Sequence, residues 1–370
     1  MREKKSEFPL RIVKRQELTG GKAMLLRLGA LAVALVAGSL FLLALGKNPL
    51  EAYALILKGA FVGSAYNPYS SIQATVILAI PLLIVSLGLA MAFKMKFWNI
   101  GGEGQLIMGG IFSTYVALYH HDLPQPVLWL LMLVAGAVGG GIWALIPAMF
   151  KVRFGTNETL FTLMLNYIAL YTVKFLEAGV WQRTPGFASI GLLERSSYLP
   201  EVFGIHIGWI FALLLMVIIF FYFSYTKQGY EINVVGESPA TARYAGMRVN
   251  RIVLRTMFFS GAICGAAGMI QVAGIDHTLS VGITGGTGFT GITVAWLAQM
   301  QPFAIALVTF LFSILKKGSS VMKSTLKVDA AAADVLQAII LFFVLGCEFF
   351  ARYRLVLRKP SDNKEGVERK

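Results

Sequence analysis

Residues 72–93 read IQATVILAIPLLIVSLGLAMAF, a run without one charged side chain. As an α-helix rising about 1.5 Å per residue it would cross a hydrocarbon core roughly 30 Å thick. Similar apolar runs lie at about 28–46, 100–119, 127–150, 160–176, 207–225, 257–275, 291–300, 303–315 and 335–350. Of the 370 residues, 56% are hydrophobic and 14% charged. A soluble domain averages about 25% charged residues. So few charges cannot cover so much apolar surface in water, and lipid is the solvent for most of the chain. The sequence predicts an all-α fold, a polytopic transmembrane helix bundle of about ten spans (eight at the fewest).

The net charge of +14 is concentrated in three places: residues 1–27, the stretch 227–255, and the tail 352–370. Basic segments beside apolar runs face the cytoplasm. The domain reading is therefore a basic cytoplasmic segment (1–27), a transmembrane domain (28–351) with a cytoplasmic loop at 227–255, and a basic cytoplasmic tail. Nucleic-acid binding is set aside because no basic block lies on a soluble domain. The first run is read as a retained span, since a cleavable leader has a shorter apolar region and a small-residue cleavage site. Two cytoplasmic termini need an even number of spans. Treating 291–300 and 303–315 as separate short segments, broken at Pro302, gives ten, but places Lys316, Lys317, Lys323 and Lys327 outside. At least one of these segments is expected to be short or re-entrant, which is tolerated only where protein covers it or it lines a cavity. Cys264 and Cys347 both fall in apolar runs and read as small buried hydrophobes.

Motifs for familiar chemistry are missing. The sequence has no Gly-x4-Gly-Lys-Ser/Thr, no His-Glu-x2-His and no Cys-x2-Cys, so neither a nucleotide-phosphate loop, a metal site nor a cofactor is expected. Gly286-Thr287-Gly288-Phe289-Thr290-Gly291 matches a dinucleotide fingerprint but follows no strand, and reads better as a glycine-rich entry into a membrane segment. Gly261 and Gly265 have the spacing that lets helices approach closely.

Polar groups within or beside the spans are the other signal: Glu103, Asn157, Glu158, Asn166, Gln271, Asp334 and Gln337. Such groups face a bundle interior or a water-filled path. Asn166 and Gln271 can serve interhelical hydrogen bonds or a solute. Glu103 and Glu158, near predicted cytoplasmic ends, read as ties between loops or partners for helix N-termini. Phe161, Tyr167, Tyr171 and Trp296 can stack on a planar solute or pack against neighbours.

The loop after Tyr225 is the most informative polar stretch. Its second half predicts a helix of about two turns, with Ser238 as N-cap, Pro239 at the first helical position and Gly246 as the stop. The residues leave two readings open, a docking element of defined shape or an amphipathic connector.

Two segments carry a resemblance. Phe97-Trp98-Asn99-Ile100-Gly101-Gly102-Glu103-Gly104-Gln105 resembles a signature of ABC-importer permease subunits for simple sugars and nucleosides. Thr226 to Val249 resembles the coupling loop of the same subunits, and Gly285 to Ile292 a third segment. The likeness spans roughly 72–350 and is strongest to the nucleoside, guanosine-type branch. Trp98 stands where phenylalanine is usual and Asn233 where arginine is usual. The resemblance implies a transport subunit in the cell membrane that is not an enzyme. Separate cytoplasmic ATPase subunits would hydrolyse ATP, a second permease subunit, a paralogue, would complete the path, and an extracellular substrate-binding lipoprotein would deliver the small-molecule solute. It also implies that Gly236, Glu237, Ser238, Pro239, Ala242, Arg243, Tyr244, Ala245 and Gly246 couple to the ATPase. Asn99, Gly101, Gly102, Glu103, Gly104 and Gln105 would belong to the translocation region, and Asn166, Gln271, Phe161 and Trp296 are candidates for the substrate path. The alternative from another class, an ion-coupled secondary transporter, needs acids near mid-membrane and often an inverted repeat. The acids here sit mainly near span ends, and no inverted repeat is evident.

Overall fold

The computed structural model describes residues 10–14, 20–64, 66–329, 332, 334–340, 342–343, 346 and 353–357. Much of the basic tail, Cys347 and residues 347–350 of the last apolar run lie outside the described residues. The described chain is mostly helix: α1 (Gly20–Ala44), α2 (Pro49–Phe61), α3 (Ser70–Lys94), α4 (Gly102–Tyr119), α5 (Gln125–Phe154), α6 (Glu158–Ala178), α7 (Gly208–Tyr225), α8 (Lys227–Glu237), α9 (Pro239–Tyr244), α10 (Val249–Gln271), α11 (Thr287–Leu297) and α12 (Pro302–Leu326). Four short strands accompany them: β1 (Leu10–Lys14), β2 (Glu201–Val202), β3 (Ile205–His206) and β4 (Tyr353–Leu357). An all-α polytopic bundle is thus the observed architecture.

Six described helices are long and apolar enough to cross a bilayer: α3, α5, α6, α7, α12, and α10 with the π-helical turn that follows it. Counting α1 and α2 as one span bent by 113° makes seven. The difference from the ten apolar runs has physical causes. Helix α4 opens on Gly-Glu-Gly-Gln, which lipid would not accept, but it runs inside the bundle with most of its residues buried. Helix α11 has only 11 residues. The break expected at Pro302 is present: Gln299 and Met300 adopt positive φ (51° and 56°), and Pro302 opens α12. Two helices were not legible, α2 and α8. The polar stretch 181–206 contains a 3-10 turn (Arg195–Ser197) and the β2–β3 ribbon.

The chain forms two compact units, Leu57–Lys317 and Met1–Ile56 with Gly318–Lys370. In the terminal unit, β1 pairs antiparallel with β4, with Leu10 opposite Leu357 and Lys14 opposite Tyr353. Lys47 Nζ donates to the Leu326 carbonyl (2.9 Å), and the Tyr53 hydroxyl to that of Leu35 (2.7 Å).

In the larger unit α3 is apolar all round and is buried along most of its length, as a central helix should be. Helix α7 is equally apolar, but only five of its 18 residues are buried, which suits a helix against lipid. Helix α10 packs on α3, α4 and α5 through glycines. A Cβ on Gly265 would run into the Gly136 carbonyl, one on Gly261 into that of Gly140, and one on Gly268 into that of Leu106. Gly136 and Gly140 of α5 thus answer Gly261 and Gly265 of α10, each pair four residues apart. The absent side chains let the backbones touch, the main source of helix adhesion where lipid is as apolar as leucine. Ser260 Oγ donates to the Gly88 carbonyl (2.7 Å), fixing α10 on α3.

Candidate translocation and coupling sites

The signature segment Asn99–Gln105 forms a knot at the start of α4. Asn99 is fully buried. Its side-chain amide and that of Gln105 pair reciprocally (3.2 and 3.1 Å), and its Oδ1 also accepts from the Gly101 N–H (2.9 Å). Gly101 offers no side chain to cap the helix, so α4 takes its cap from α6: Asn166 Oδ1 accepts from the Gly104 N–H (2.9 Å). Asn166 Nδ2 donates to the Ile100 carbonyl (3.0 Å), and Thr162 Oγ1 accepts from the Ile100 N–H (3.1 Å). Glu103 reaches the other way, its Oε2 accepting from the Gly288 N–H of α11 at 2.6 Å. A Cβ on Gly288 would strike the Glu103 backbone. The glycine-rich entry into α11 is therefore a docking surface for the knot, with a carboxylate at the positive end of a short helix. Glu158, the other acid near this end, pairs with Lys151 across the α5–α6 turn at 2.7 Å.

The remaining candidates are dispersed. Trp296, near the end of α11, stacks on Trp98 (centroids 5.1 Å, planes 12° apart) and lies 5.8 Å from the Phe93 ring. Phe161 packs on Phe150 at 4.9 Å. Gln271 donates to Asp276 Oδ2 at 3.0 Å. Asn166 is brought to the knot, where its amide oxygen and nitrogen both have backbone partners.

Removing the Glu103 carboxylate would leave the Gly288 N–H buried without a partner, at a cost of about 1–3 kcal/mol. Glu103→Ala is expected to lower the thermal stability of the purified chain by several degrees, with Glu103→Gln, which retains an acceptor, recovering most of the loss. Equal melting of Glu103→Ala and the unaltered chain would refute the clamp.

At the same end of the bundle as Lys94 and Lys151, α8 and α9 form a projecting platform. Thr226 Oγ1 caps α8, accepting from the Gly229 N–H (3.0 Å), and Ser238 Oγ caps α9, accepting from the Thr241 N–H (3.2 Å). Pro239 is the first residue of α9, and Gly246 closes the turn at φ +77°. Ala242 is fully buried in a cluster with Ile232, Val235, Val249 and Ile252. Gly236 sits against the Lys94 carbonyl where no Cβ would fit, and Glu231 pairs with Arg255 of α10 at 3.0 Å. The platform is anchored from below while Glu237, Pro239, Arg243, Ala245 and Gly246 are exposed and Tyr244 is 96% exposed.

At the opposite end, loop 179–207 is pinned to the end of α10. The Leu193 N–H donates to the His277 carbonyl (2.9 Å), the Leu199 N–H to that of Ala273 (3.0 Å), and Thr278 Oγ1 to that of Gly191 (2.7 Å). Tyr198 stacks on His277 at 3.8 Å. His206 is 2% exposed, and burial, aided by the neighbouring His277, holds its pKa down to about 4 from 6.5. A depressed histidine pKa means that the unfolded loop binds the proton more readily, so stability falls as pH drops from about 6.5 towards about 4. Proteolysis of loop 179–207 is expected to accelerate over that window, and His206→Phe to flatten the dependence. A His206→Phe variant with an unchanged pH profile would contradict this.

A family profile described as the permease component of branched-chain amino acid transport systems matches residues 71–345. The chain is 32% identical over 328 residues to the guanosine ABC transporter permease protein NupP of Bacillus subtilis, covering 87% of this chain and 92% of that protein. It is 29% identical over 362 residues to the nucleoside ABC transporter permease protein NupB of Lactococcus lactis (94% and 98%). It is also 29% identical over 352 residues to the glucose ABC transporter permease protein TsgB13 of Haloferax volcanii (91% and 90%). The match takes in α3 to α12, the knot and the platform, and the chain belongs to this family of ABC transporter permease components.

Proposed function

We propose that this multi-pass permease subunit forms one half of the translocation path of an ATP-driven importer for nucleosides or related sugars in the plasma membrane. A permease component has no ATPase site of its own, so energy must enter through contact with another polypeptide. The observation that carries the reading is the platform: a short capped helix, anchored through Ala242 and presenting Arg243 and Tyr244 outward at the basic end of the bundle. In this reading α9 docks on a cytoplasmic ATPase subunit, and ATP-driven closure of the ATPases rocks the two permeases between inward and outward access. The knot transmits that motion, because it ties α4 to α6 and α11 without a flexible link. A substrate-binding lipoprotein would dock at the opposite end, on loop 179–207.

Ten spans with both termini cytoplasmic remain the preferred topology. The pairing of β1 with β4 supports it, since strands joined in one sheet lie on one side of the bilayer and require an even count. The chain also matches a second guanosine permease of Bacillus subtilis, NupQ, at 25% identity over 270 residues. Two different permeases under one substrate name support a heterodimer. The substrate test is uptake of labelled guanosine and glucose by cells lacking this chain. Loss of guanosine uptake alone is expected. Loss of glucose uptake alone would move the substrate to hexoses.

A further inference from the structure

Five basic residues lie between 227 and 255: Lys227, Arg243, Arg248, Arg251 and Arg255. The first four are exposed, as charges beside a membrane should be. Arg255, in the second turn of α10, is drawn in: its side chain keeps 26% of its surface, and that of Glu231 in α8 keeps 16%. Arg255 Nη2 donates to Glu231 Oε2 at 3.0 Å. Withdrawing two charges from water is costly, and their attraction does little more than offset that cost. For adhesion alone, a well-packed apolar pair would hold α8 on α10 as well. A charged hydrogen bond adds direction, and so fixes the register of the two helices.

The neighbouring contacts of the platform have no such direction. Ile232, Val235 and Ala242 meet Val249, Ile252 and Met257 of α10 in an apolar cluster. Gly229 lies against the Tyr222 carbonyl of α7, and Gly236 against the Lys94 carbonyl of α3, where a Cβ would collide. Such contacts resist compression but permit sliding.

Helix α10 is where a fixed register has consequences. With its π-helical turn it runs from Val249 beside the platform to Asp276, 28 residues or about 40 Å. At that far end the N–H groups of Leu199 and Leu193 in loop 179–207 donate to the carbonyls of Ala273 and His277. A shift of α10 along or about its axis therefore moves the platform at one end and the loop at the other.

We propose that Glu231 and Arg255 are positioning residues that lock α10 to the platform, so that docking of α9 on the ATPase and docking of the binding protein on loop 179–207 bias one another. This rests on the permease reading and adds to it the link through which the two contacts communicate. Such coupling is reciprocal, since each partner must ease the other's binding by the same factor.

The test uses the complete importer in liposomes with labelled guanosine and the binding protein. Glu231→Leu/Arg255→Met replaces the pair by apolar side chains. It is expected to reach the membrane and co-purify with the ATPase subunits at the unaltered level. Its ATP hydrolysis should no longer rise when guanosine-loaded binding protein is added, and uptake should fall at least tenfold. Glu231→Arg/Arg255→Glu reverses the pair but keeps its direction, and should recover at least half of both. Uptake by the apolar variant within twofold of the unaltered complex would overturn the link, leaving the pair as plain adhesion. So would a reversed pair no better than the apolar one, or failure of either variant to accumulate, which would make the pair a folding element. Absence of ATP-driven uptake by the unaltered complex would overturn the permease reading itself, whatever the variants do.

Discussion

Arg243→Glu in the complete importer is expected to reduce solute uptake at least tenfold while ATP hydrolysis continues. Arg243 sits on α9, whose only deeply buried residue is Ala242. Its charge faces outward, where an ATPase surface would meet it. Reversing that charge sets like against like across a contact, a penalty of several kcal/mol when the pair is desolvated. Tyr244→Ala should act in the same direction. A tyrosine 96% exposed on an anchored helix contributes little to folding, but it is the kind of side chain that carries binding energy at interfaces. The membrane level of both variants should match the unaltered chain, because exposed side chains change stability by only about 0.5 kcal/mol. Uptake and ATP hydrolysis measured on one preparation separate uncoupling from loss of protein. Full uptake by either variant would remove α9 from the coupling role.

Gly265→Val should have the larger effect on folding. The glycine lies where α10 crosses α4 and α5, and a Cβ there would collide with the Gly136 carbonyl and press on Gly140. These are backbone atoms of long helices, so no side chain can turn aside. Overpacking of a fixed core costs about 1–3 kcal/mol where rotamers can adjust, and more where they cannot. The expected outcome is at least a tenfold loss of folded protein in the membrane, read by fluorescence-detected size exclusion. Gly110→Ala is the matched control: its nearest atoms are the ends of the Leu279 and Val272 side chains at 3.4 Å, and it should be tolerated. Equal yields from Gly265→Val and Gly110→Ala would show that the crossing is looser than described.

The two variants also mark what could be read in the sequence. Apolar runs fix where helices lie because lipid admits few alternatives, and α3, α5, α7 and α10 fall close to their runs. The caps of α9 were legible because Ser238, Pro239 and Gly246 each satisfy a local backbone requirement. Helix α8 was missed although Thr226 caps it, since its polar sequence has little apolar periodicity. Helix α2 was missed because it is short and follows a sharp bend.

The knot was legible as a segment but not as a structure. Nothing local tells that Asn99 pairs with Gln105, or that Asn166, 62 residues beyond Gly104, supplies its cap. Gly261 and Gly265 announced a close crossing, but their partners Gly136 and Gly140 came only with the three-dimensional arrangement.

The central claim is that this chain is a path driven by ATP hydrolysed on a partner. The direct measurement is uptake of labelled guanosine into liposomes that hold the complete complex with ATP sealed inside, solute and binding protein being added outside. The account predicts uptake that requires hydrolysable ATP and persists when ionophores collapse every ion gradient. Uptake that proceeds with a non-hydrolysable analogue and disappears with the ionophores would contradict it.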